Sequence, residues 1–153
     1  MSPLKLYQDI HGKKFHPLSY TQDIIKNNPW VKIHIGTDSQ NYGDRTAYVT
    51  VIAYRFGTRG VHYIYQKENV PLIYDSWTRL WGETERTMEL AEYLGDILRG
   101  VRIQIDMDFN QDETKLSNKL VSASRGWAQS LGYKVNIKPD ELVATRAADY
   151  HCT

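Results

Sequence analysis

The order of elements legible in this 153-residue chain, β-β-β-α-β-α-β-α, predicts an α/β protein: a mixed five-stranded sheet with helices packed on it. Three observations carry that prediction. Period-two alternation of apolar and polar residues crowds into the first half; the period lengthens to that of a helix after Ser76; strand-like and helix-like segments then alternate to the end. No repeat, low-complexity tract or compositional break divides the chain. Residues 1–153 are therefore expected to form one domain, with residues 1–30 as an N-terminal extension on or beside its core.

Each element has a local reason. A short helix is expected from Thr21 to Asn27, stopped by Asn28-Pro29 because the residue before a proline is pushed out of the helical region. Val31–Ile35 alternates and breaks at Gly36. Thr46–Phe56 is rich in β-branched and aromatic residues, and with the turn Gly57–Gly60 and the alternating Val61–Tyr65 it reads as a hairpin. From Ser76 to Leu98 the residues Leu80, Thr84, Thr87, Ala91, Leu94 and Leu98 form one helical stripe, closed by Gly100. Val101, Ile103 and Ile105 make a fourth strand. A second long helix spans residues 112–131, with Leu116, Leu120, Trp127 and Leu131 on its stripe. Val135 and Ile137 make a fifth strand, and Lys138-Pro139-Asp140 opens a final helix that reaches Tyr150, with Asp140 as its N-cap.

Composition narrows the function. At 41% hydrophobic and 24% charged residues the chain is not of disordered type. Its apolar runs, such as Val49–Ala53, fall far short of the roughly 20 residues of a membrane span. No apolar stretch follows Met1–Lys5, so neither a secretory leader nor membrane association is expected, and the single cysteine, Cys152, fits a reducing cytoplasm. The five histidines are scattered without CxxC or HExxH spacing, which argues against structural zinc. Nineteen Lys and Arg against eighteen Asp and Glu leave a net charge of +1, which removes the simplest argument for nucleic-acid binding, a strongly basic domain.

The chemistry lies in the carboxylates. Asp38 is expected at the end of the first strand and Asp106 at the end of the fourth; in sheets of this kind ligands gather beyond the carboxyl ends of the strands. Two bare charges about 4 Å apart repel by about 4 kcal/mol at an effective dielectric near 20. Such a pair needs a shared proton or a divalent cation, and oxygen-only ligands suit Mg2+ or Mn2+. The plain alternative is that both acids face water. On the first long helix Glu85, Glu89, Glu92 and Asp96 lie opposite the apolar stripe, as a solvated face does. Glu83 lies in line with Thr87, Ala91 and Leu94, on the flank that packs on the sheet. An inward carboxylate is costly unless paired, although helix N-termini do favour acids. Asp149 shares a helical line with Leu142 and Thr145 and can also face the sheet.

With these acids in these places the chain resembles the ribonuclease H-like superfamily over about residues 31–150. Ile33–Ser39 is similar to the first-strand motif of that superfamily, and Ala147-Ala148-Asp149 resembles the last-helix motif of Holliday-junction resolvases of the RuvC type. Ile35–Gln40, Glu83 with Thr87 and Ala91, and Lys138-Pro139 resemble the little-characterised YkuK-type family, a likeness that extends into residues 15–30.

The resemblance implies a nuclease that hydrolyses phosphodiester bonds with two Mg2+ or Mn2+ ions, Asp38 and Asp106 shared between them, Glu83 joining one and Asp149 the other. Asp108 stands as the substitute for Asp106, and Glu85 and Glu89 as substitutes for Glu83. His34 and His151 lie close to these acids, where a structural role competes with proton transfer. The implied partner is nucleic acid, whether RNA–DNA hybrid, branched DNA or structured RNA. Lys13, Lys14, Lys26 and Lys32, and Lys115, Lys119 and Arg125, are candidates for phosphate contacts. Tyr48, Tyr54, Tyr63 and Tyr65 and the pair Trp77/Trp81 could stack on bases or simply pack. Setting aside four metal-bound acids leaves nineteen basic against fourteen acidic residues, a moderately basic surface. The competing class is a non-catalytic nucleic-acid-binding or assembly module on the same fold. An actin-like phosphotransfer ATPase is disfavoured, since no Gly-rich phosphate loop is present.

Overall fold

The computed structural model describes residues 5–95, 97–98, 101, 103–109, 114–137 and 142–152, with the backbone alone for residues 114–118. The chain runs β1 (Tyr7–Gln8), β2 (Lys14–Phe15), α1 (Pro17–Asn27), β3 (Lys32–Tyr42), β4 (Arg45–Arg55), β5 (Val61–Pro71), α2 (Ser76–Leu94), β6 (Ile103–Met107), α3 (Thr114–Ser130), β7 (Lys134–Ile137) and α4 (Val143–Cys152). The expected mixed α/β sheet is present. Its strand order is β2-β1-β5-β4-β3-β6-β7, with β3, β4 and β5 forming an antiparallel meander and β6 and β7 continuing parallel to β3.

Among the described residues the sheet has seven strands rather than five. The five expected strands are β3–β7; the extra two come from the N-terminal segment, where β1 pairs with β2 and meets β5 only at Gln8–Tyr65. Two residues leave no periodic trace in a sequence. The meander is also longer than expected. Gly36 does not end β3, which continues through Asp38 to Tyr42 and turns at Gly43, whose φ of 47° suits glycine. Asp38-Ser39-Gln40-Asn41 has the composition of a turn, yet it pairs with Thr46–Val49, so Asp38 lies within the strand and not at its end. Helix α1 begins earlier, at Pro17, where the missing N–H costs nothing, and α2 ends at Leu94 rather than Leu98. Gly100 and Lys138-Pro139-Asp140, the expected stop and cap, lie outside the described residues.

Strand alternation divides the core. Ile33, Ile35, Ile52, Tyr54, Ile64 and Ile105 point to the face covered by α2 and α3, where Leu80, Met88, Ala91 and Leu94 meet them. Val49, Val51 and Ala53 point to the other face, against Ala144, Ala148 and Cys152 of α4. One glycine admits each helix. A Cβ on Gly36 would sit 2.9 Å from Thr145 Cγ2 and 3.1 Å from Ala144 Cβ, and one on Gly82 would collide with the hydroxyl and ring of Tyr48. These close approaches seat α4 beside Asp38 and α2 beside Ser39.

Candidate active site

Register brings the acids together. β3 and β6 pair in parallel from Ile33–Ile103 to Gly36–Asp106, and β6 pairs no further. Continuing that register by two residues brings Asp108, the first residue past β6, level with Asp38. Both side chains then lie on the α4 face. Across from them Asp149 of α4 shares a hydrogen bond with the Asp38 carboxyl. Burial pushes Asp38 up to about 7. The Ser39 N–H, 2.9 Å from its Oδ1, opposes that, while Asp149 and then Asp108 reinforce it.

Glu83 approaches β3 from the other face. It is buried on α2, where Ser39, the next residue along β3, donates its hydroxyl to Glu83 Oε2 at 2.5 Å. Arg79, one helical turn earlier, donates to Ser39 Oγ at 2.8 Å and lies 4.0 Å from Glu83 Oε2. Thr87 closes the other side, with its hydroxyl 3.0 Å from the Glu83 carbonyl and 2.8 Å from Thr37 Oγ1. Burial holds the Glu83 carboxyl well above the usual carboxylate range, Asp38 and Asp108 add to it, and Ser39 and Arg79 offset only part. Carboxyls from both faces of the sheet thus influence one another around the edge of β3 that β6 leaves unpaired.

Asp106 is elsewhere. Its side chain is buried one rung below, beside Gly36. His34 Nδ1 lies 3.2 Å from both carboxylate oxygens, Asn136 Nδ2 donates to Oδ1 at 2.8 Å, and the Ala144 N–H donates to Oδ2 at 2.9 Å. Asp106 therefore holds the first turn of α4 onto the sheet. A carboxylate near helix N–H groups is favourable by about 0.3–1 kcal/mol when exposed and more when buried. Glu85 and Glu89, the substitutes for Glu83, are exposed on the outer side of α2.

The remaining candidates fall into place by packing. Tyr48 and Tyr54 are buried. Trp81 stacks between Trp77 and Trp127 at 6.3 and 5.7 Å. His151 stacks on Tyr65 at 3.8 Å and bonds the Tyr63 hydroxyl. Lys32 opens β3, about 20 Å from Asp38 at 3.4 Å per residue. Lys119 and Arg125 are exposed on α3, and the side chain of Lys115 is outside the described set.

Sequence reasoning passed over Ser39 and Arg79. The four-residue step from Arg79 to Glu83 is a visible helical pairing signal; the Ser39 contact depends on tertiary packing and left none.

Among the described residues, no three His, Cys, Asp or Glu side chains converge tightly enough to hold a metal ion. The side chains gathered here offer oxygen donors only, and two of the carboxyls share a hydrogen bond.

A mixed sheet in this order with helices on both faces is consistent with a ribonuclease H-like fold. The family model described as ribonuclease H-like matches residues 19–153, and the chain belongs to that family; the YkuK-type resemblance is consistent with it. No curated protein and no solved structure matches the chain. No helix among the described residues is long and apolar enough to cross a membrane.

Proposed function

We propose that this chain is a nuclease that hydrolyses phosphodiester bonds of nucleic acid with the help of Mg2+ or Mn2+. The observation that carries the reading is the mutual influence of Asp38, Asp149, Asp108 and Glu83 at one end of the β3–β6 pair. These four would hold the ions, with Asp108 in the role first expected of Asp106. Bound divalent ions supply a water activated near neutral pH and positive charge at the leaving 3′ oxygen. The chain's own residues orient the donors. Ser39 and Arg79 keep one Glu83 oxygen turned toward β3, and Asp106, through the Ala144 N–H, fixes the helix that presents Asp149.

One observation favours a second reading, a nucleic-acid-binding module without catalysis: no three described ligand side chains close on a single point. Cleavage assays on RNA–DNA hybrid, branched DNA and structured RNA, with Mg2+ or Mn2+ against EDTA, separate the two. The nuclease reading expects cation-dependent cleavage of at least one substrate, lost in Asp38→Asn. Binding without cleavage under every condition supports the module.

A further inference from the structure

On the face that carries Asp38 the β3–β4–β5 meander runs on from a first rung whose Val49 packs against α4. Its rungs are set by register: Asp38–Val49–Lys67, then Gln40–Ala47–Asn69, then Tyr42–Arg45–Pro71. Alternation puts all nine side chains on one face. No carboxylate other than Asp38 stands on these rungs. Gln40, Arg45, Lys67 and Asn69 are exposed. Lys67 donates to the Cys152 carbonyl at the end of α4, and Arg45 lies over the Tyr42 ring at 5.7 Å from its centroid. On the reverse face the exposed charge is mixed, since Glu68 is bridged by Lys5 and Arg86.

We infer that this open half of the meander is the track on which the sugar–phosphate backbone of the substrate lies as it leaves the acid cluster, with Lys67 and Arg45 contacting phosphates and Gln40 and Asn69 bonding phosphate or sugar oxygens. The inference rests on the nuclease reading and extends it to the path of the strand. The cations alternate with amides along a flat strip that starts at the acids, and two residues of extended strand, about 6.8 Å, are comparable to the step between successive phosphates. Neutral bonding groups between the cations favour a polyanion with regularly spaced charges over an acidic peptide. The contacts go to the backbone, so the track carries affinity without base specificity.

The test measures binding of labelled single-stranded and hybrid oligonucleotides to the full chain carrying Asp38→Asn, over a range of salt, with Lys67→Ala, Arg45→Ala and the conservative Lys67→Arg added singly. Cleavage is measured with the same additions in the wild-type background. Lys32→Ala is the matched control, because Lys32 is on the same face of β3 at its other end. The track predicts a loss of affinity of about three- to tenfold and a salt slope lower by about one for each alanine variant, with Lys67→Arg and Lys32→Ala near the parent. Wild-type cleavage with unchanged binding by Lys67→Ala and Arg45→Ala overturns the track and leaves the nuclease reading standing. Absence of both binding and cleavage in the parent chain overturns the two together.

Discussion

Asp106 near the end of β6 and Asp108 just past it stand two residues apart, yet their surroundings differ. Asp106 is met by three donors, from His34, Asn136 and the backbone of Ala144. Asp108 stands level with Asp38, and its charge pushes Asp38 and Glu83 further up. A buried acid whose oxygens are satisfied is a structural part; acids crowded against one another store repulsion that only a proton or a cation relieves. The first arrangement stabilises the fold, and the second costs stability.

Removing charge should therefore have opposite consequences in the two places. The largest effect is on activity: Asp38→Asn is expected to lower cation-dependent cleavage by about a thousandfold or more, while Glu85→Gln and Glu89→Gln, on the outer side of α2, stay within about threefold. Next comes the fold itself. Asp106→Asn turns an NH2 group toward donors that need an acceptor and is expected to cost about 3 kcal/mol in denaturant unfolding. Asp38→Asn is expected to raise the melting temperature of the cation-free protein at pH 8. If both substitutions destabilise alike, the contrast between the two acids collapses.

The pH dependence sharpens the same contrast. Asp38 titrates near 7 in the folded chain and near 4 when unfolded, so between those values the folded state binds the extra proton. Stability of the cation-free protein should then fall as pH rises from about 4 to about 7, and Asp38→Asn should flatten that slope. Thermal melts across this range in EDTA check it, and saturating Mn2+ should reverse the slope by stabilising the ionised form. Smaller still, Gly82→Ala, which drives a methyl into Tyr48, should destabilise by about 1–3 kcal/mol.

Much of this was legible in the chain. The change from period two to period 3.6 located the main strands and helices, and the direction of Glu83 followed from its line with Thr87 and Ala91. Asp38 and Asp149, placed from the sequence on the first strand and the last helix, do meet across a hydrogen bond. The different surroundings of Asp106 and Asp108 were not legible, because they depend on parallel register between strands some seventy residues apart, which no local pattern encodes. The same holds for Ser39, whose bond to Glu83 exists only because Gly82 lets α2 settle on β4. The N-terminal strands were missed because two residues carry no period, and the end of β3 because Asp38–Asn41 has turn composition that eleven paired residues override.

The most direct test is calorimetric titration of Mn2+ into the wild-type chain and into Asp38→Asn, Asp108→Asn and Asp106→Asn at pH 7.5, each first shown to be folded. The arrangement predicts binding to the wild type, its loss in Asp38→Asn and Asp108→Asn, and its retention, weakened by about tenfold or less, in Asp106→Asn. Absence of binding to the wild type at millimolar Mn2+, or binding that survives Asp38→Asn, would contradict it.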